Sequence, residues 1–512
     1  MKKLLSRYMQ QLPEQFNDSF IMSRDDNQII SHIRDIFKSL ETIPEIHINP
    51  DEITFEKTES SFGPIKQSGK YYKSVLPSRL NKIHYVVHID GLAKPIERDL
   101  YINKMLDNCF YLNEGIRYYL IWQIVDSNSY GFEDGVSMKS LNLPITMMAR
   151  QRYDLQAELN GPLLTNLPVF KAALFKKKVP PIVYILAKYA LESLANAGME
   201  KINNVDEFLE YKDEGIINYL SNFFGFEIKF SDTLNDLIED NKTIFSIKNQ
   251  KEQGIYYSVP TEVIDTSIGK AFLASMSFIT NEVKEPKKSI IFNYDQLTNM
   301  WFWINEVGRV FNKSNDVYKK YEKVKTVYIS LNRLIDDPTR KTLTIPREYK
   351  ESIFTIFKYI MSNFDDLMMA DSQDLTNKRV RLYEYVLYPL RVYFGRKINS
   401  ILNSATRSTA DLEKMFNALT PMYLIKECVT SELLHYYNAT NEFDLFTSLL
   451  RYTFHGPAGY TNTVSIDQRS LHPSYTGRIS LVASSPGSPG TSGTLVPFLK
   501  IYNGYFTEPL DI

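Results

Sequence analysis

What this chain can fold into is constrained most by a change of texture along its length. Three runs on the N-terminal side, "YYKSVLP", "NKIHYVVHIDG" and "DNCFYLNEGIRYYLIWQIV", are rich in β-branched and aromatic residues and bounded by Gly, Asn and Asp. That is the pattern of a sheet with tight turns. From about Leu163 the texture becomes helical. "PPIVYILAKYALESLANAG" spaces its apolar residues at helical intervals, opens on proline and closes on Gly198. The segment "DNQIISHIRDIFKSLETI" also reads as helix, and long helices are expected from Ile353 to Tyr437, with Pro389 kinking or restarting one of them. Beyond them the chain is loop-rich, with one strand-like run, "RISLVA" (Arg478–Ala483). The expectation is a multidomain α+β chain. Its 512 residues supply ample core for about three domains.

The totals narrow the function. A formal charge of −1 excludes a uniformly basic nucleic-acid coat, so any such surface is local. Cys109 and Cys428 offer neither a disulfide framework nor a zinc site, which points to a reducing compartment. The start "MKKLLSRYMQQLPEQF" is positive, but no apolar stretch of signal-peptide length follows. The densest apolar run, "YYLIWQIV", is far short of the roughly 20 residues that span a bilayer. A soluble, intracellular protein is expected.

Self-sufficient catalytic chemistry is hard to find. Two bound Mg²⁺ ions need several carboxylates at tight spacing. The pairs Asp25-Asp26, Asp336-Asp337 and Asp365-Asp366 lie in polar stretches, where acidic pairs are routine at turns and helix starts. His84 and His88 stand four apart, but "KIHYVVHID" is β-textured, which favours ordinary sheet residues over a zinc pair. No Gly-x-Ser-x-Gly elbow is present. "SSPGSPGTSGT" (Ser484–Thr494) lacks the lysine of a phosphate loop, the next lysine being Lys500.

Basic clusters are more informative. "FKKKVPP" places three lysines before a helix, and Asn377–Arg407 holds seven Lys or Arg against one acid, Glu384. Such a run is either a solvated helix face or a surface that tracks phosphates. Tyr383, Tyr385, Tyr388, Tyr393 and Phe394, interleaved with it, suit core packing or base stacking.

The segment Asn441–Gly490 resembles part of the β subunit of multisubunit DNA-dependent RNA polymerases, the part that lines the active-site cleft. Asn441, Thr447, Arg451, Gly456-Pro457-Ala458-Gly459, His472-Pro473 and Gly477-Arg478 follow that family's order. Weaker likenesses in the same order are "CFYLNEGIRYYLIWQIV", "FKKKVPPIVYILAKYAL", "DSQDLTNKRVRLYEYVLYPLR" and "YLIKECVTSELLHYYNATN". The family's subunit continues well past this point, so the chain looks like the N-terminal half of a split β subunit, as in giant phages.

The resemblance implies a protrusion-like segment over 1–125, a lobe-like domain over 126–365, and a return to the protrusion and fork over 366–512. It implies nucleotidyl transfer from NTPs on a DNA template, with no catalysis by this chain alone. The catalytic Mg²⁺ would sit in a β′-like partner, and another chain would supply the C-terminal half of β. A promoter-specificity subunit and carriage in the virion stay open, and the setting is the cytoplasm of an infected bacterium. The cleft residues carried over are Arg451, Arg381 and Asp371 beside the nascent RNA, Lys378 and Arg379 near the DNA bubble, and His472 and Arg478 at the fork. The stretch Ser484–Thr494 falls at the family's Pro-Glu-Gly turn but lacks its acids, and "GYTNTVSI" replaces a charged fork loop. Tyr436, Ala439 and Ser448 stand where the family's rifampicin pocket has Gln, Asp and His, which implies insensitivity to that drug. The other class this charge pattern admits is a phage structural or DNA-packaging protein with a basic groove.

Overall fold

The computed structural model describes residues 26–506 apart from 58–64, 68–69, 73–78, 107–109, 140–143, 249–253, 280–292, 336–339, 341–342, 383–385, 405–407, 461–465, 484–490 and scattered single positions. Asp336-Asp337, Tyr383, Tyr385, Cys109 and most of the Ser484–Thr494 and Gly459–Ile466 stretches lie outside the described residues. The architecture is α+β, with several sheets and helical layers sharing one continuous core.

The first layer follows from local periodicity. In the helix Asp26–Lys38, Ile29, Ile33, Ile36 and Phe37 recur at helical spacing and are buried. They cover an antiparallel sheet centred on Leu80–Ile89, whose Ile83, Tyr85, Val87 and Ile89 alternate inward. The rings of Phe37 and Tyr85 lie 4.6 Å apart. His84 and His88 share the opposite face, each beside a carboxylate, Asp99 at 2.9 Å and Glu52 at 2.8 Å, as ordinary sheet residues do.

The expected β-rich run becomes a hairpin, Phe110–Asn113 with Ile116–Leu120, followed at once by the strand Trp122–Asp126. The chain then runs through a five-stranded antiparallel meander from Ser129 to Val179. The helical texture expected from Leu163 does not begin there, because Leu163–Leu174 is a strand of that meander. Its partner Pro144–Gln156 buries Ile145, Met147 and Ala149 on one side, and tertiary pairing outweighs local propensity.

"FKKK" closes a two-residue hairpin in which Phe175 and Lys176 take φ of 49° and 64°, the left-handed pair that matches strand twist. The helix Pro181–Asn196 starts and stops where its proline and Gly198 require, and Gly198 has φ of 71°. It is apolar nearly all round and accordingly buried. A small sheet (Lys229–Ser231, Lys242–Lys248, Gly254–Pro260) and the helices Ser267–Phe278, Met300–Phe311, Val317–Asn332 and Ile353–Ser362 complete this middle region.

The chain returns at the strand Lys378–Arg381, and Pro389 then sits in the first turn of Tyr388–Asn403, so it restarts a helix rather than kinking one. Phe394 there is fully buried against Phe37, and the Tyr393 hydroxyl donates to the Met415 carbonyl at 2.6 Å. Phe394 is core, and Tyr393 packs half-buried against it. "RISLVA" forms no strand; Ile479 makes a single bridge to Leu495.

Candidate nucleic-acid interface

Three distant parts of the chain meet in one six-stranded sheet. Its order is Ser492–Thr494, Arg451–Thr453, Trp122–Asp126, Lys378–Arg381, Tyr505–Phe506, Ile501–Tyr502. Trp122–Asp126 is the hinge of this assembly, antiparallel to Lys378–Arg381 and parallel to Arg451–Thr453. Gln123 lies opposite Arg381 on one side and Thr453 on the other.

All four residues of Lys378–Arg381 are buried, so its three cations must be satisfied internally. Lys378 Nζ donates to Asp126 Oδ1 at 2.6 Å and lies over the rings of Phe454 and Tyr460 at 5.7 and 5.3 Å. Arg379 donates to Asn128 Oδ1 at 3.0 Å and lies 5.9 Å from the Tyr505 ring. Arg381 Nε donates to Gln123 Oε1 at 2.8 Å, its Nη2 donates to the Pro457 carbonyl, and Tyr388 lies 5.5 Å beneath the guanidinium.

The Arg381 bonds help hold a turn. Gln123 Nε2 donates to the carbonyls of His455 at 2.9 Å and Pro457 at 3.2 Å. Gly456 has φ of 107° and Ala458 of 56°, and Tyr460 N closes the turn on Phe454 O at 2.8 Å. A Cβ on Gly459 would overlap the Phe454 carbonyl oxygen and press on Gln123 Nε2. Gln123 was not among the sequence candidates. Its one signal was a lone amide inside the densest apolar run of the chain.

Asp371, His472 and Arg478 meet at a separate joint. His472 Nδ1 accepts from the Ser474 amide at 3.2 Å, capping the turn Pro473–Tyr475, while Nε2 faces Asp371 Oδ2 at 3.1 Å. Ser474 Oγ accepts from the Leu375 amide, and its carbonyl accepts from buried Arg478 at 3.0 Å. Burial pushes the Asp374 carboxyl up, but the Thr376 amide and hydroxyl and the nearby His472 leave it below its ordinary value. The segment 371–377 is thereby fastened to 472–478.

Arg451 differs from the buried cations. It opens its strand opposite Thr494, its side chain is exposed, and it makes no ion pair with a described residue. Beside it, burial first and the charge of Arg451 second hold His435 below the ordinary histidine value. The structure therefore brings Arg451, Arg381, Arg379 and Lys378 into one sheet and leaves Arg451 alone of these four in solvent. Among the described residues no group of three or more His, Cys, Asp or Glu could hold a metal ion, and no helix is long and apolar enough to cross a membrane.

The profile of a protein family described as "Non-virion RNA polymerase subunit" matches residues 2–506. The chain belongs to that family. Of the two classes its charge pattern admitted, the family is that of a polymerase subunit. A stretch of 99 residues is also 33% identical to the small ribosomal subunit protein uS7 of Campylobacter curvus, covering 19% of this chain and 60% of that protein, less than two-thirds of its length.

Proposed function

We propose that this chain is the N-terminal half of a split β subunit in a phage-encoded, multisubunit DNA-dependent RNA polymerase, and that it forms one wall of the active-site cleft. The observation that supports this best is the exposed Arg451 on a sheet built from strands far apart in sequence, beside a turn pinned by Gln123 and Arg381. In this reading Arg451 is the wall's phosphate-facing cation, since a guanidinium forks to two phosphate oxygens. Arg381, Lys378 and Arg379 are positioning residues, with their donors committed to the turn and its flanks. Asp371, His472 and Arg478 brace the loop at the fork.

The catalytic Mg²⁺ is held by a β′-like partner. Another chain supplies the C-terminal half of β, and DNA, RNA and NTP meet only in the complex, in the cytoplasm of an infected bacterium. The test is co-expression of a tagged copy with the candidate partner chains, followed by NTP incorporation on a bubble template. A stable complex that needs this chain and Mg²⁺ for synthesis, and that Arg451→Ala impairs, is the expected result. A complex that transcribes equally well without this chain overturns the proposal.

A further inference from the structure

A further exposed arginine stands on the neighbouring sheet, formed by Met105–Leu106, Phe110–Asn113, Ile116–Leu120 and Leu434–Tyr436. The exposed guanidinium of Arg117 lies 5.0 Å from the Phe110 ring and 5.9 Å from the Tyr437 ring, and those two rings are 5.4 Å apart. The Tyr437 amide donates to the Arg117 carbonyl at 2.9 Å, which fixes the two side by side. Two residues further, on the same face, Tyr119 lies opposite His435 with ring centroids 5.8 Å apart. Arg451 stands next to Tyr452, which pairs with Trp122, and Trp122 is two residues from Leu120, the partner of Leu434. Arg117 and Tyr119 are thus about 7 Å apart along the strand, and His435 stands about 5 Å across from Tyr119.

We propose that Arg117, seated on Phe110 and Tyr437, is a second phosphate contact for the single-stranded nucleic acid bound by Arg451. The proposal rests on the cleft reading above. A guanidinium held flat against rings keeps its edge N–H groups for an anion while its position is fixed. Among the described residues neither arginine is consumed by an ion pair. In an RNA polymerase subunit the anion that two neighbouring exposed cations meet is a nucleic-acid backbone, with a phosphate on every nucleotide.

The experiment uses the assembled polymerase, stalled with a short labelled RNA on a bubble template. RNA retention is measured against KCl concentration for wild type, Arg117→Ala, Arg117→Lys and Arg451→Ala, with thermal melting of each complex alongside. Each lost phosphate contact should lower the slope of log K against log salt by about 0.7 to 0.9. Arg117→Ala is expected to lose that increment without a change in melting, while Arg117→Lys keeps the slope and holds RNA more weakly. A slope unchanged in both Arg117 variants but lowered in Arg451→Ala overturns this inference and leaves the cleft reading standing. Loss of a partner chain from the Arg117→Ala complex also overturns it, by making the face a protein interface. A complex that transcribes without this chain removes both.

Discussion

Lys378, Arg379 and Arg381 carry the same kinds of charge as Arg117 and Arg451, but the two sets stand in opposite environments. The first three are buried in a strand with neighbours on both edges, where an unsatisfied charge is costly. Each is accordingly held by an internal oxygen, from Asp126, Asn128, Gln123 or Pro457, and each lies over an aromatic ring. Arg381 helps define the backbone turn at Pro457, while Lys378 and Arg379 are tied to Asp126 and Asn128 beside it. Arg117 and Arg451 lie in solvent, where binding a phosphate breaks nothing in the protein. The same kind of charge is therefore scaffold in one place and surface in another, and burial decides between them.

The comparison is broken most directly by Arg381→Ala. It leaves the Gln123 amide oxygen and the Pro457 carbonyl without their charged donor, and a loss of about 3 kcal/mol of stability is expected from denaturant unfolding. Gln123→Leu should cost somewhat less, about 2 kcal/mol, because the arginine still reaches the Pro457 carbonyl. If both variants unfold like wild type but lose RNA with a reduced salt slope, the buried strand is a binding surface after all.

A pH titration sharpens the exposed side. His435 has its folded value depressed below 6.5, so its contribution to stability is present above that value and is lost as pH falls through the folded one. His435→Asn should flatten the acid limb of a melting-temperature profile. Arg451→Ala relieves the charge beside that imidazole, brings its folded value closer to 6.5 and should make the same limb shallower, while changing neutral stability by only about 0.5 kcal/mol. The smallest expected response is to rifampicin. The assembled enzyme should be unaffected at concentrations that stop the host polymerase, and strong inhibition would show that Tyr436, Ala439 and Ser448 do not remove the pocket's hydrogen bonds.

Much of the fold was legible because it is local. The hairpin around Gly115, the buried helix between Pro181 and Gly198 and the restart at Pro389 each follow from residues within one turn or strand. The strand Leu163–Leu174 was not, since its leucines and alanines suit either period until a partner strand is supplied. "RISLVA" erred the other way, with strand-forming residues whose Leu481 and Val482 lie exposed beside no ladder. Among the candidate residues, the basic segment could be located but its burial could not. Gln123 was hidden because its meaning depends on carbonyls more than 330 residues away.

The sequence by itself determined the α+β texture, the local starts and stops of its elements, and the order of motifs that points to a polymerase subunit. Those are properties of neighbouring residues and their backbone preferences. Only the tertiary structure decided that Trp122–Asp126 would join Lys378–Arg381 to Arg451–Thr453, and so which arginines of that sheet are enclosed and which is exposed. The reason is that desolvation and hydrogen-bond partners belong to a place in space, and strand pairing across hundreds of residues creates that place.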